Sequence, residues 1–152
     1  MAHVFVPPAI STRDLRGAID LVFAFEIDLT LEPRLTEHTP HGRRIHQRIT
    51  GGRISGPTLT GSVYPDGGGE FGLVRSDGIE ELFSRLMLRA ADGEWLYTHL
   101  NGYVRPDGYA RFQAVFDADR QGPHGWLNES MFIGTIASSD GSIRRMTYFE
   151  AR

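Results

Sequence analysis

The sequence predicts a single all-β domain folded as a closed antiparallel barrel. Glycine accounts for 18 of the 152 residues, well above the usual share of about 7%. Apolar and polar residues alternate over short runs, a pattern typical of strands with one buried face. About ten such runs follow one another at short, regular spacing, as in barrels and sandwiches. A closed barrel is favoured because it leaves no sheet edge unpaired.

The N-terminal part differs from the rest, so we predict an extension over residues 1–21 and a barrel domain over residues 22–152. Ser11 or Thr12 can cap a helix here. Apolar residues then recur at helical spacing at Leu15, Ala18, Ile19 and Val22. The extension is therefore expected to contain a short helix.

Strand and turn signals then alternate to the end of the sequence. The period-2 pattern predicts strands over residues 23–31, 44–50, 58–64, 71–75, 81–91, 94–104, 109–116, 128–137 and 142–149. Asp-Gly pairs at 77–78, 92–93, 107–108 and 140–141 mark turns between them. Residues 35–43 are interpreted as a mobile loop.

Composition and charge exclude several function classes. The net charge of −3, without a basic run, argues against nucleic-acid binding. The absence of cysteine excludes disulfides and thiolate metal sites and suits a reducing cytoplasm. Apolar stretches fall far short of the roughly 20 residues that a membrane span needs, and the start lacks a signal-peptide pattern. We therefore expect a cytoplasmic protein without a membrane partner, and a homodimer is a reasonable expectation.

Two motifs that suggest a cofactor or a metal are better explained otherwise. Residues 67–72 match G-x-G-x-x-G, but a strand and a turn follow instead of the helix that a dinucleotide site requires. His38, His41 and His46 lie close in sequence without an H-x-H or H-E-x-x-H pattern. We predict no metal and no cofactor.

Polar side chains share one face of the strand predicted over residues 44–50 and one face of the strand predicted over residues 94–104. Each of these two polar faces has two interpretations. Such faces are commonly exposed to solvent while the apolar alternates fill the core. Alternatively they line a lumen, where arginine can hold an oxyanion and histidine or tyrosine can move a proton. The second interpretation makes His46, Tyr97 and His99 candidate catalytic residues, and Arg48, Trp95 and Asn101 candidate substrate-binding residues.

Four further residues complete the candidate site. Glu70, beside the glycines, is a candidate acid at a barrel mouth. Arg85 lies within an apolar run, where a buried arginine would need a partner or an anionic ligand. Trp126 and Asn128 begin a strand after a loop; the first is most often a core residue and the second a turn or cap residue, and both are included as candidates for substrate binding.

Several ordered motifs resemble the DUF3237 (UPF0311) family. The run from Gly51 to Pro65 is similar to the family's G-G-x-x-x-G-P-x-L-x-G-x-V-x-P. The resemblance continues through residues 74–78, places Arg85 in the position of a common L-D-A-R-Y segment, and ends with Trp-Leu-Asn at 126–128 and Phe-Ile-Gly at 132–134. It covers roughly residues 22–150.

The resemblance implies a calycin-like (lipocalin-like) barrel, with a few members acting as cofactor-free lyases or decarboxylases on aromatic or secondary metabolites. The sequence departs from the family in having Phe71 where tryptophan is usual, in lacking the aspartate near Phe83, in a shorter segment over 102–109, and in its N-terminal extension. These departures affect the expected pocket rim, so no substrate is carried over.

The leading hypothesis is a cofactor-independent lyase, isomerase or cyclase that acts on a small oxygenated molecule, aromatic or polyketide-like. The reactions of these enzyme classes need only an apolar cavity and one or two proton-transfer groups. A non-catalytic carrier of a small molecule is the alternative. A purely structural protein is expected if side chains fill the interior.

Overall fold

The computed structural model describes residues 17–138 and 141–152, and in that part of the chain ten strands form one antiparallel sheet. The strands are β1 (Leu21–Leu31), β2 (Leu35–Thr39), β3 (Gly42–Ser55), β4 (Gly61–Val63), β5 (Gly69–Val74), β6 (Glu80–Ala90), β7 (Trp95–Val104), β8 (Ala110–Asp117), β9 (Met131–Ser138) and β10 (Ile143–Ala151). A 3-10 helix, Gly125–Glu129, lies between β8 and β9.

The sheet closes into a barrel with eight strand positions. The order around the barrel is β1, β10, β9, β8, β7, β6, then β4 and β5 in one position, then β3, which pairs back with β1. The long strand β3 is flanked by β1 and β2 on one side and by β4 and β5 on the other. The predicted antiparallel β-barrel is confirmed.

Glycines in β3 and β4 allow these two strands to lie close to their neighbouring strands. A Cβ atom at Gly52 would lie within 2.9 Å of the Val63 side chain and closer still to the Asp28 carbonyl oxygen. A Cβ atom at Gly61 would collide with the backbone of Arg89. Close backbone approach therefore explains two of the glycines in the run over residues 51–65.

One end of the barrel interior is filled by aromatic rings. Tyr148 stacks on Phe25 with ring centroids 4.8 Å apart, and Phe112 packs edge-on against the same tyrosine ring. Leu127 of the 3-10 helix is fully buried and closes this end. We call the opposite end the mouth; it is formed by residues 32–34 between β1 and β2 and by the first residues of β6 and β10.

Five predicted elements need correction or fall outside the described residues. The strand predicted over residues 44–50 extends over Gly42–Ser55. The strand predicted over residues 128–137 begins at Met131, because residues 128 and 129 belong to the 3-10 helix. Residues 35–43 form β2 and the start of β3 rather than a loop; the signal was weak because four of the five β2 residues are exposed, so no buried face shows in the sequence. The strand predicted over residues 58–64 is limited to Gly61–Val63. The first part of the predicted helix, from Ser11 or Thr12 to residue 16, lies outside the described residues; its second part is wrong, because residues 18–20 are not helical and Val22 lies in β1.

No helix in residues 17–138 and 141–152 combines the length and apolar character needed to cross a bilayer.

Candidate functional site

A row of buried polar side chains lies just inside the mouth. Gln47 on β3, Glu70 on β5 and Ser84 on β6 occupy directly paired positions on three neighbouring strands. Because paired residues point to the same face of a sheet, all three side chains project into the barrel. Arg144 reaches them from β10 across the barrel, with only 7% of its surface exposed.

Hydrogen bonds connect Arg144 to this row. One guanidinium nitrogen, Nη1, pairs with Oε2 of Glu70, and the other, Nη2, donates to Oε1 of Gln47 at 3.1 Å. The amide nitrogen of Gln47 in turn donates to the carbonyl oxygen of Glu32 at 3.0 Å. The arginine head group is thereby fixed at the level of the β1–β2 connection.

A second ion pair lies closer to solvent. Arg34, between β1 and β2, donates from both Nη atoms to the carboxylate of Glu80 at the start of β6, at 3.0 and 3.1 Å. The Arg34 side chain is 39% exposed and that of Glu80 is 12% exposed. The mouth therefore carries two layers of charge, with Arg34 and Glu80 outside and Arg144 and Glu70 inside.

Four buried atoms in this region have no hydrogen-bond partner among the described residues. They are Oε1 of Glu70, Nε of Arg144, Oγ of Ser84 and Oη of Tyr148. The Tyr148 ring belongs to the aromatic filling of the closed end, but its hydroxyl is near enough to Glu70 to be affected by the charge of that carboxylate. An unsatisfied buried polar group costs about 1–3 kcal/mol. In native proteins such groups accompany a catalytic role, a bound water or ion, or stored strain.

Burial also changes the acid–base properties of two of these groups. It raises the pKa of the Glu70 carboxyl above its ordinary value of 4.5, and the positive charge of Arg144 offsets part of that rise. Burial likewise raises the pKa of Tyr148, and the negative charge of Glu70 adds to the effect. A buried carboxyl group with a raised pKa is a candidate for proton transfer.

A cavity of about 520 Å³ gives access to this cluster from the mouth. Its walls include Leu31, Pro33 and Arg34, together with the buried side chains of Gln47 and Arg144. The volume is within the range of small-molecule sites, about 300–1,000 Å³. Glu70 lies directly behind Arg144, one contact away from the cavity.

Of the residues predicted from the sequence, Glu70 lies inside the barrel, and most of the others lie on its outer surface. Ile45, Gln47 and Ile49 take the inner face of β3, and Leu96, Thr98 and Leu100 take that of β7. Of the two interpretations left open by the sequence, the outward-facing one therefore holds for His46, Arg48, Trp95, Tyr97, His99 and Asn101, and Arg85 also faces outward instead of being buried. This placement does not test their catalytic or binding roles, which stay predictions.

The outward-facing residues of β3 have contacts that explain their positions. Arg48 pairs with Glu32 at 2.6 Å and with Asp66 at 2.5 Å, and the guanidinium lowers the pKa of Asp66. His46 donates from Nδ1 to the carbonyl oxygen of Glu70 at 2.9 Å and stacks on the ring of Phe71. Both side chains connect β3 to β5 or to the turn before it, and β3 and β5 carry Gln47 and Glu70.

The outward-facing residues of β6 and β7 form an aromatic and basic surface. Trp95 packs edge-on against Tyr64, with centroids 4.7 Å apart, and the rings of Tyr97 and His99 are 6.1 Å apart. The guanidinium carbon of Arg85 lies 5.4 Å from the centre of the Phe83 ring.

An outer groove of about 550 Å³ crosses β6 to β9 and is lined in part by Asn101, Phe83, Gln113 and Ile133. It is slightly larger than the mouth cavity. None of the unpartnered buried atoms found among the described residues lies on a residue that lines it, so we place the candidate site at the mouth.

Trp126 and Asn128 are located at the closed end. The Trp126 ring lies 6.0 Å from that of Phe132, as expected of a core residue. The Asn128 side chain accepts from the backbone nitrogen of Ala118 at 2.7 Å and donates to its carbonyl oxygen at 3.1 Å. The observed contacts of both residues are structural.

Several residues of the site were missed by the sequence analysis. A polar residue within the apolar phase of a strand was the available signal: Gln47 lies between Ile45 and Ile49, and Arg144 alternates with Met146 and Tyr148. Ser84 has the same relation to Leu82 and Leu86. The polar phase of each strand, which attracted attention instead, faces outward. Arg34 and Glu80 carried no comparable signal, because one lies in a connection and the other at a strand end.

A second group of titratable residues lies at the closed end. Ligand atoms of Asp92, Glu94 and His124 lie within 4.8 Å of one another, a spacing that a divalent cation could bridge. Nε2 of His124 is 2.9 Å from Oδ2 of Asp92, and Oε1 of Glu94 accepts from the nitrogen of Asp119 at 3.1 Å. These bonds fasten the loop after β8 to the β6–β7 turn, and Oε2 of Glu94 is buried without a hydrogen-bond partner among the described residues.

Solved structures share the fold of this chain. A protein of unknown function from Clostridium acetobutylicum is 24% identical, with a TM-score of 0.79 over 88% of this chain and 99% of its own. A β-barrel-like protein from Acinetobacter baumannii is 20% identical, with a TM-score of 0.79 over 98% and 100%. A protein described as an enzyme from Penicillium herquei is 21% identical, with a TM-score of 0.72 over 88% and 95%.

No curated protein matches the sequence. The family model described as "Protein of unknown function (DUF3237)" matches residues 19–148, which is most of the chain. The glycine run, the barrel and the match along the chain agree with the resemblance found in the sequence. The chain belongs to the DUF3237 family.

Proposed function

We propose that this protein is a cofactor-independent enzyme that binds a small oxygenated molecule, aromatic or polyketide-like, in the mouth cavity. The single observation that carries the proposal is the group of four unpartnered buried atoms around the Arg144–Glu70 pair. A protein whose interior serves only for packing would gain stability by replacing these groups with apolar ones. A binding or catalytic role explains why they are present.

The proposed chemistry is proton transfer next to an oxygen that develops negative charge. Arg144 offers a buried nitrogen, Nε, with no other partner among the described residues, and it holds such an oxygen through a charge-assisted hydrogen bond. Glu70, whose pKa is raised by burial, gives or accepts the proton. Steps of this kind are sufficient for a lyase, an isomerase or a cyclase.

The description of the Penicillium herquei relative as an enzyme supports catalysis on this fold. A non-catalytic carrier is the second candidate, because the same cavity and the same polar groups could orient a ligand without changing it. For both candidates, binding is expected at the mouth and not deep in the barrel, because aromatic rings fill the closed end.

A turnover screen by mass spectrometry tests the proposal. Metal-stripped protein is incubated with phenolic acids, hydroxylated aromatic ethers and polyketide-like enones, in parallel with Glu70→Gln and with Glu37→Gln, an exposed glutamate on β2. We expect a product from the wild type and from Glu37→Gln, and a rate about 10²–10⁴-fold lower from Glu70→Gln. Binding without conversion supports the carrier, and equal rates in all three proteins would refute the role of Glu70.

A further inference from the structure

We propose that the mouth cavity binds an organic monoanion with an apolar body, a carboxylate or a phenolate, and that Glu70 takes up one proton as the anion binds. The inference rests on the proposed site and names the class of molecule that the site receives. It applies whether or not the molecule is then transformed.

Two arginines make the cavity suitable for an anion. Arg34 and Arg144 are the charged side chains among its described lining residues, the first from the β1–β2 connection and the second from β10. Leu31 and Pro33 supply an apolar wall beside them. A guanidinium group binds a carboxylate through a planar pair of charge-assisted hydrogen bonds, so this lining suits an acidic group on a carbon framework.

The charges already at the mouth determine which ligand charge the site prefers. Arg34 and Arg144 are balanced by Glu80 and Glu70, so the site is neutral when both carboxyl groups are ionised. An added anion then leaves one negative charge without compensation in a nearly buried site, which is costly. A proton on one carboxyl group restores the balance for a ligand of charge −1 and leaves a dianion uncompensated.

Glu70 is the carboxyl group that accepts this proton. It is 3% exposed, and one of its oxygens has no partner. Glu80, in contrast, has both oxygens bonded to Arg34.

The groups around Glu70 do not prevent its protonation. Gln47 on β3 and Ser84 on β6 are neutral. Glu80 adds a negative charge that favours the protonated form. Arg144 and, more weakly, Arg34 oppose protonation, and an anion bound to these two cations weakens that opposition. Tyr148 on β10 keeps its proton because burial raises its pKa.

Calorimetry with benzoate and benzamide, two probes of nearly the same shape, tests the inference. We expect benzoate to bind and benzamide not to bind. Because one proton is taken up, benzoate binding should weaken by up to about tenfold per pH unit above the pKa of Glu70. Titrations in two buffers of different ionisation enthalpy then count the proton directly.

Three variants locate the effect. Glu70→Gln resembles the protonated form, so it should bind benzoate at every pH without proton uptake. Arg34→Gln should bind about tenfold to a hundredfold more weakly, the usual cost of a charge-assisted hydrogen bond. Arg145→Gln is the matched control, since Arg145 follows Arg144 on β10 but points outward and pairs with Asp28 at 2.8 Å; it should bind like the wild type.

Benzamide binding as tight as benzoate binding, absence of benzoate binding, or proton uptake that persists in Glu70→Gln would each overturn the inference. Its failure is distinguishable from that of the proposed function. Turnover of an uncharged compound, without benzoate binding, contradicts this inference alone. Benzoate binding with the expected proton uptake, in a protein that converts nothing in the screen, contradicts only the enzymatic proposal.

Discussion

Tyr148 places a hydroxyl group inside the barrel, where no described residue forms a hydrogen bond with it. Its ring is fully buried against Phe25 and Phe112, so packing alone would be served equally well by phenylalanine. Tyr148, Ser84, Glu70 and Arg144 each bury a polar atom without a partner among the described residues. Such atoms lower the free energy of unfolding. Proteins commonly retain such residues at functional sites.

Tyr148→Phe therefore should raise the free energy of unfolding by about 1 kcal/mol, because it removes a desolvated hydroxyl without changing the shape of the ring. Urea denaturation measures the change. Tyr103→Phe, at an exposed position on β7, is the control and should have little effect. A clear loss of stability in Tyr148→Phe would show that the hydroxyl has a stabilising partner and would contradict the account of this residue.

The raised pKa of Glu70 predicts a specific dependence of stability on pH. The folded protein holds this proton at pH values where the unfolded chain has already released it. The contribution of Glu70 to stability is therefore complete below its ordinary pKa of 4.5 and is lost as the pH rises through the raised value.

Relative to Glu70→Gln, the wild type should lose unfolding free energy as the pH rises above 4.5. Urea denaturation of both proteins over a pH series measures this difference. Parallel curves would mean that the pKa of Glu70 is not perturbed, and a wild type that gains stability relative to the variant would mean that the pKa is lowered.

At the scale of elements, the packing of β9 between β8 and β10 requires a glycine at position 134, because the ring of Phe112 lies directly over it. A Cβ atom at Gly134 would overlap the ring of Phe112 and lie 2.6 Å from the carbonyl oxygen of Thr147. This explains the glycine of the Phe-Ile-Gly motif at residues 132–134 as a packing requirement.

Gly134→Ala should accordingly lower the free energy of unfolding by about 1–3 kcal/mol, the usual cost of overpacking a core. Gly72→Ala is a matched control on β5, since a Cβ atom there would meet its neighbours at 3.4 Å or more, which is ordinary contact. Denaturation midpoints of the two variants provide the comparison. Equal midpoints for Gly134→Ala and the wild type would show that the ring moves aside at no cost.

The elements that sequence predicts well are those with one buried and one exposed face. β1, β6, β7 and β8 show this alternation, and their predicted bounds differ by at most two residues from those observed. β2 has no buried face and β4 has only three residues, so neither leaves a periodic signal. The rule that polar faces point outward also explains why most predicted site residues lie outside the barrel.

At the scale of the whole molecule, the barrel has one filled end and one open, charged end. Closure could be expected from the number and spacing of strands, whereas pairings such as β1 with β3 and the salt bridge from Arg144 to Glu70 join residues far apart in sequence. No local pattern specifies which strands meet across the interior. Glu70 was accessible to sequence reasoning because a turn of glycines precedes it. Gln47 and Arg144 could have been noticed as polar residues in the apolar phase of their strands, but their contacts with each other and with Glu70 could not.

The account depends on the mouth, rather than the outer face, being the functional site. The most direct test is the turnover rate of Glu70→Gln and of His99→Gln, measured on whichever compound the wild type converts. The account predicts a loss of about 10²–10⁴-fold in Glu70→Gln and a rate near that of the wild type in His99→Gln, whose side chain is exposed on β7. A fully active Glu70→Gln beside an inactive His99→Gln would contradict it and move the site to the outer surface.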